Sequence, residues 1–276
     1  MSTYYADPKI SRAEKESRDA DVKGKIEQIR VTHRRDGYRR LIHHLNRSGI
    51  TIGETRLRRI IKKFELQIRP KKRFVATTNS NHDCLIHPNL IKDMTIDGVN
   101  QVWASDITYI RIDNGFVYLA VILDLFSRKI IGWAISKRID GALAVDALRM
   151  AIARRKPPRG CIHHSDRGVQ YLCDDYVDIL NDNGFHISCS AKGNPYDNAW
   201  LESFMKTLKQ EEIYMGSYDT YLDVIEKLPE FLEEVYNKKR LHSSLGYLPP
   251  VEFEDLMKEG YKSLEGKEID RPRFTL

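Results

Sequence analysis

The 276-residue sequence has only four cysteines, Cys84, Cys161, Cys173 and Cys189, and no two of them form a CxxC pair. This excludes a disulfide scaffold and a paired-cysteine zinc module, and unpaired thiols suit a reduced, cytosolic setting. His82-x-Cys84-x-x-His87 superficially resembles a set of metal ligands, but it lacks a second paired half, so zinc is not expected there. No apolar run approaches the roughly 18–20 residues of a membrane span, and the polar N-terminus is no secretory signal. A cytoplasmic protein without membrane contact is the expectation. With 41% hydrophobic and 30% charged residues the chain is not compositionally disordered, and its length suits one large domain or two modest ones.

Charge is plentiful and unevenly placed. Residues 1–75 carry 21 Lys and Arg against 9 Asp and Glu, a net of +12, whereas the other 201 residues carry 24 against 30, a net of −6. A basic head suggests phosphate contact through counterion release. An acidic body that also handles a polyanion needs its carboxylates for something else, such as metal ions.

The head reads as three helices. Val22, Ile26 and Ile29 give one apolar stripe over 23–34, which Asp36-Gly37 breaks. Tyr38, Leu41, Ile42 and Leu45 give a second, ended by Ser48-Gly49. Thr51 then fits as N-cap of a third helix, with Glu54 completing a capping box. That helix keeps Leu57, Ile60, Ile61 and Phe64 inside and leaves Arg56, Arg58, Arg59, Lys62 and Lys63 largely outside. A Gly turn followed by a basic last helix predicts a helix-turn-helix, which lays that helix in the major groove of double-stranded DNA. Residues 67–96 read as a linker, with a basic run at 69–73 and a polar run at 76–81.

From Asn100 the pattern changes to strands. Runs over 101–112, 116–123 and 129–136 are rich in β-branched and aromatic residues, and Asp113-Asn-Gly115 is a turn between the first two. Short strands follow at 161–165 and 186–190, with helices over 142–155, 171–181 and 199–212. The order βββαβαβα predicts an α/β fold with a mixed five-stranded sheet and flanking helices. Residues 97–215 form this core, preceded by an all-α domain at 1–66 and followed by a helical extension at 216–276. In that extension Leu222, Ile225, Leu228, Phe231, Leu232 and Val235 should pack on the core, Pro229 should kink the pattern, and the basic residues of 236–240 face DNA or a second protomer.

Two aspartates are odd for their surroundings. Asp106 falls inside the first strand and Asp166 just past the fourth, although an ionised carboxylate in a sheet is costly unless paired or metal-bound. Glu202 lies on the last core helix, with 35 residues between it and Asp166. At 100° per residue, Lys206 and Lys209 fall within about 40° of Glu202, away from the apolar stripe of Leu201, Phe204, Met205 and Leu208. Asp124 reads as structural, capping a turn or pairing with Arg128. His164 fits either packing or orienting a water or phosphate. Asn198 or Asp197 is a natural N-cap for the Glu202 helix, and its loop could also touch DNA.

Several collinear segments carry a resemblance. They are Trp103-Ala-Ser-Asp-Ile-Thr-Tyr109, Asp124-Leu-Phe-Ser-Arg128 with Ile131-Gly-Trp133, His164-Ser-Asp-Arg-Gly-Val-Gln-Tyr171, and Gly193-Asn-Pro-Tyr-Asp-Asn-Ala-Trp-Leu-Glu-Ser-Phe204. Arg240-Leu-His-Ser-Ser-Leu-Gly-Tyr247 follows late in the chain. On these the sequence resembles the DDE transposases of the retroviral integrase superfamily, and more closely the second-frame product of the insertion-sequence-three family. Ser105 stands where Thr or Gly is more usual and Val99 where Pro is common. The resemblance implies an RNase H-like fold and assigns Asp106, Asp166 and Glu202 as catalytic acids and metal ligands. It implies two Mg²⁺ ions, for which Mn²⁺ can substitute, with Asp106 bridging them. It places Lys209 on the DNA end, with Lys206 and Asn198 as further DNA contacts. It also implies cleavage of element terminal inverted repeats, transfer of the 3′-OH strand to target DNA, a homo-oligomer on DNA, and a fusion or partner from an upstream reading frame. The alternative reading is a non-catalytic DNA-binding regulator of transposition, which would have no use for three converging acids.

Overall fold

A computed structural model describes residues 11–68, 87–190 and 198–263. The chain divides into two compact units, residues 1–72 and 73–276.

The first unit contains α1 (Arg12–Thr32), α2 (Tyr38–Arg47) and α3 (Glu54–Lys63). Val22, Ile26, Leu41, Leu45, Ile52, Leu57 and Ile60 form its core. α1 starts well before the predicted position. A capping box holds it there, with Glu14 N–H donating to Ser11 Oγ and Ser11 N–H to Glu14. Its first turns are polar almost all round, so apolar periodicity could not reveal them. The predicted Thr51 cap is not formed. Burial of Ile52 draws the chain inward, and α3 begins at Glu54 with Gly53 as N-cap and no side-chain cap bond.

The second unit is built on one sheet. Its strands are β1 (Val102–Ile112), β2 (Gly115–Asp124), β3 (Ile130–Ser136), β4 (Ile162–Ser165) and β5 (His186–Cys189), in the order β3-β2-β1-β4-β5. β1–β3 pair as an antiparallel meander, and β4 and β5 add in parallel beside β1. α4 (Gly141–Arg155) and α5 (Asp174–Asp182) cover one face. The other is covered by α6 (Ala199–Leu208), α7 (Tyr221–Glu230) and α8 (Pro250–Ser263). The predicted mixed five-stranded α/β sheet is thus the observed one. Ile91 and Ile96, read as linker, are buried in this core. The helix predicted over 171–181 resolves into a 3₁₀ turn, Val169–Tyr171, and α5. No helix among the described residues is long and apolar enough to cross a membrane.

Buried polar groups lock the helices to the sheet. Asp124 accepts the N–H groups of Phe126, Ser127 and Asn100, and pairs with Arg155 rather than the predicted Arg128. Arg155 also donates to both carboxylate oxygens of Glu254 on α8, at 2.8 Å each. Arg128 stacks over the Trp200 ring. Asn237 accepts the N–H and binds the carbonyl of Ile130, so the edge strand β3 is stapled at its start. Arg240, predicted to face DNA or a second protomer, is buried and paired with Glu211. Leu222 and Ile225 are exposed, not core. A π turn, Phe231–Tyr236, follows Pro229; Leu228, Phe231 and Leu232 are buried as predicted, and Val224 joins them on the inner stripe.

β3 and α4 meet at Gly132. A Cβ there would collide with the Ala147 carbonyl oxygen and lie 2.8 Å from the Ala151 Cβ. Gly132→Ala should therefore push α4 off the sheet and destabilise the second unit by about 1–3 kcal/mol, read as a lower midpoint in urea unfolding. An unchanged midpoint would show that this contact is loose.

Candidate active site

The sheet register brings the two aspartates together. Ser105 of β1 lies opposite Ser165 of the adjacent parallel strand β4, so Asp106 and Asp166 leave neighbouring strands at the same level. By strand alternation Asp106 shares the face of Val102, Ala104 and Ile110, the face that α6 covers. The Ile107 N–H donates to Asp106 Oδ1 at 2.8 Å, and the Gly168 N–H to Asp166 Oδ1 at 2.9 Å. A Cβ at Gly168 would stand 2.9 Å from that same oxygen, so glycine keeps the turn tight around the carboxylate. Arg167 turns away to donate to the Ser190 carbonyl.

Glu202 comes from α6. Leu201, Phe204, Met205 and Leu208 are buried as predicted, which leaves Glu202 and Lys206 on the exposed side. The predicted helix over 199–212 changes character at Lys209, where a π turn, Lys209–Ile213, begins. Lys209 is half-buried, with its Nζ 5.1 Å from the centre of the Tyr109 ring.

These groups act on one another. Burial pushes the Asp106 carboxyl up to about 7, and the charges of Asp166 and Glu202 add to the effect; the Ile107 N–H and Lys209 oppose it. Burial lowers the Lys209 pKa, and Asp106 partly restores it. The carboxylate oxygens of the three acids are not all within 4.8 Å of one another. The trio is thus one electrostatic neighbourhood, and its donors are all hard oxygens. Such a set suits a hard divalent cation.

Other predicted positions behave differently. Arg56 and Arg59 both pair with Asp19 of α1, at 3.0 and 2.9 Å, so neither is an unengaged outer residue of α3. Arg58 pairs with Glu54 and lies over the Tyr38 ring, and Lys63 lies over Phe64. Lys62 is exposed. Asn198 is the N-cap residue of α6 but makes no side-chain cap bond, and Asp197 lies outside the described residues. His163 bonds the Tyr176 hydroxyl and His164 bonds Ser188, both fully buried. Burial drives the His163 pKa down to about 3, which keeps the ring neutral. His82 and Cys84 lie outside the described residues. Sequence reasoning missed the roles of Gly168 and Tyr109, although both sit inside the segments that carry the resemblance.

A carboxyl titrating near 7, above its ordinary 3.8, costs the folded state when it ionises. The contribution of Asp106 to the stability of the metal-free protein should decline as pH rises from about 4 towards 7. Carbon-13 NMR of labelled Asp106 should show a midpoint near 7, and Lys209→Ala should move it upward. A midpoint near 4 would contradict this account of the site.

Residues 97–195 and 183–250 match two family models, each described as an integrase core domain. The chain is 40% identical over 243 residues to an insertion element IS600 uncharacterized 31 kDa protein of Shigella sonnei, covering 86% of this chain and 89% of that one. It is 37% identical to the transposase for insertion sequence element IS904 of Lactococcus lactis subsp. lactis (strain IL1403), covering 83% and 92%. It is 39% identical to transposase InsF for insertion sequence IS3A of Escherichia coli (strain K12), covering 80% and 77%. A simian T-cell lymphotropic virus intasome, solved in complex with PP2A regulatory subunit B56 gamma, shares the fold at a TM-score of 0.50 and 16% identity, covering 87% and 77%. A sheet whose register gathers two aspartates, a helix that adds a glutamate, and identity of this extent together show that the chain belongs to the insertion-sequence-three family of transposases, polynucleotidyl transferases with an integrase core.

Proposed function

We propose that this transposase cuts the ends of its insertion sequence and joins them to target DNA with Asp106, Asp166 and Glu202 as the acids of one metal-dependent site. The observation that carries the reading is the parallel register of β1 and β4, which sets Asp106 level with Asp166, with Glu202 of α6 and Lys209 at its end acting on Asp106. A bound cation would offset the burial of Asp106 and the repulsion of the acids beside it. Asp106, Asp166 and Glu202 would hold two Mg²⁺ ions, or Mn²⁺ in their place. When bound, these ions sharpen an oxygen nucleophile and neutralise charge on the phosphate and on the leaving oxygen.

The side chains have separate tasks. Asp106, anchored on the central strand, is the fixed point of the site. Asp166 is aimed by the Gly168 N–H, and the position of Glu202 depends on how α6 packs. Lys209, half-buried beside Tyr109, binds the phosphate of the element end, while Lys206 and Asn198 contact the flanking DNA. In the first step a water oxygen bonds to phosphorus and the P–O3′ bond breaks, which leaves a 3′-OH on the element. In the second, that hydroxyl oxygen bonds to a target phosphorus and the target's P–O3′ bond breaks, so each step trades one phosphodiester bond for one P–O bond. No side chain enters the covalent path.

The head binds the terminal inverted repeats as a helix-turn-helix, with Arg58 and Lys62 of α3 at the phosphates, Lys63 beside them, and Arg56 and Arg59 joining when DNA competes for Asp19. Joining two ends to one target needs two sites, so the chain works as a homo-oligomer on DNA, together with a product of an upstream frame.

Asp166→Asn keeps the size of the side chain and removes its charge. It should lower Mg²⁺-dependent cleavage of element-end DNA by at least about 10²–10³-fold, the scale on which one preorganised electrostatic group acts, while band shifts persist. Wild-type protein that shifts this DNA without cutting it would return the chain to the regulator reading. Lys62→Ala should weaken binding to all sequences alike and reduce the slope of log K against log salt by about 0.9. An unchanged slope would remove Lys62 from the phosphate contacts.

A further inference from the structure

His33, Asp36 and His44 form a compact cluster in the first unit that the transposition chemistry does not use. Each offers a ligand atom, and these atoms all lie within 4.8 Å of one another; among the described residues no other group of three or more His, Cys, Asp or Glu does so. His33 is the C-cap residue of α1, Asp36 lies in the turn that follows, and His44 lies on α2. Asp36 is only 2% exposed. Its Oδ1 accepts from Arg40 at 2.7 Å, and its Oδ2 stands 2.9 Å from His44 Nε2. The His33 and His44 rings lie side by side, 4.3 Å between centroids and tilted by 31°.

We propose that His33, Asp36 and His44 are a binding site for one divalent transition-metal ion of the zinc class, with water completing the coordination. Two imidazoles and one carboxylate are borderline donors that favour Zn²⁺ or Co²⁺ over Mg²⁺ or Ca²⁺. The set therefore differs in kind from the all-carboxylate trio of the second unit. Arg40 occupies one oxygen of Asp36 and aims the other at the imidazoles, the task that outer hydrogen bonds perform at metal sites.

Arg40 and His44 pair with Asp36, and His33 also acts on it, so both imidazoles converge on one buried carboxylate. As neutral donors the two rings supply the second and third ligands. Ligand atoms around a tetrahedral ion at about 2.0–2.2 Å stand roughly 3.3–3.5 Å apart. The Asp36–His44 contact, at 2.9 Å, would open slightly, and the other ligand atoms, all within 4.8 Å of one another, would close to that spacing around the ion. The ion would replace the proton between His44 and Asp36, so one proton is released to solvent for each such contact converted. Bound, it would fasten the end of α1 to α2, the two helices that share a core with α3.

The test uses the full-length chain stripped with a chelator and then titrated with Zn²⁺ alone, or with Co²⁺ as a spectroscopic stand-in. The wild type should take up one tightly held Zn²⁺ and melt at a higher temperature with it. Its Co²⁺ form should show tetrahedral d–d bands without a thiolate charge-transfer band. His33→Ala and His44→Ala should each weaken this site at least tenfold and abolish the thermal shift, while Asp106→Asn and His87→Ala keep both. His33 caps a helix end and is only half-buried, so His33→Ala tests the site even if His44→Ala fails to fold. The proposal is overturned by wild type that takes up no Zn²⁺, by both histidine variants binding as tightly as wild type, by a thiolate band, or by loss of the site in Asp106→Asn.

Discussion

Mutual repulsion among carboxylates in a half-buried place is the constraint around which the second unit is organised. A lone Asp on a central strand would be neutralised or replaced. Here the parallel pairing of β1 with β4 sets a second Asp beside it, and α6 lays a Glu over the same face. Every element in between serves that convergence. The tight Gly168 turn holds one carboxylate, the apolar side of α6 fixes the height of another, and the half-buried Lys209 supplies the internal counter-charge.

Such a strained centre needs a stiff frame, and the frame is made of buried ions that are fully paired. Asp124, Arg155 and Glu254 join β2, α4 and α8 in one hydrogen-bonded cluster. Burial alone would raise the carboxyl of Glu254, but the hydrogen bonds and charge of Arg155 hold it below its usual value. The contrast with Asp106 is instructive. Glu254 meets a bidentate guanidinium and is held down, while Asp106 is pushed up first by burial and then by the charges of Asp166 and Glu202.

Most of the sheet could be read directly, because β-branched runs such as 117–123 carry their own strand signal. Asp106 and Asp166 stand out as incongruous in and beside a strand, and it is the resemblance that joins Glu202 to them. What escaped was set by long-range pairing or by breaks in periodicity. Arg240 looks like a surface base in the run 236–240, and nothing local announces that Glu211, 29 residues earlier, will bury it. Leu222 and Ile225 fit an apolar period, but α7 buries the i, i+4 pair Val224 and Leu228 and leaves the first two exposed. The first turns of α1 carry almost no apolar residue, so only the Ser11 and Glu14 cap betrays them. His33, Asp36 and His44 went unremarked because their spacing spans a helix end, a turn and a second helix.

The same pairing logic changes how the basic head is to be read. A net of +12 over residues 1–75 suggests a surface of free cations. Yet Asp19, buried in α1, takes Arg56 and Arg59 together, and Glu54 takes Arg58. A guanidinium held against a carboxylate is oriented but partly neutralised. Lys62, by contrast, is exposed on α3. The basic residues of one short helix are therefore of two kinds, held against a carboxylate and exposed, a division that charge counting alone cannot reveal.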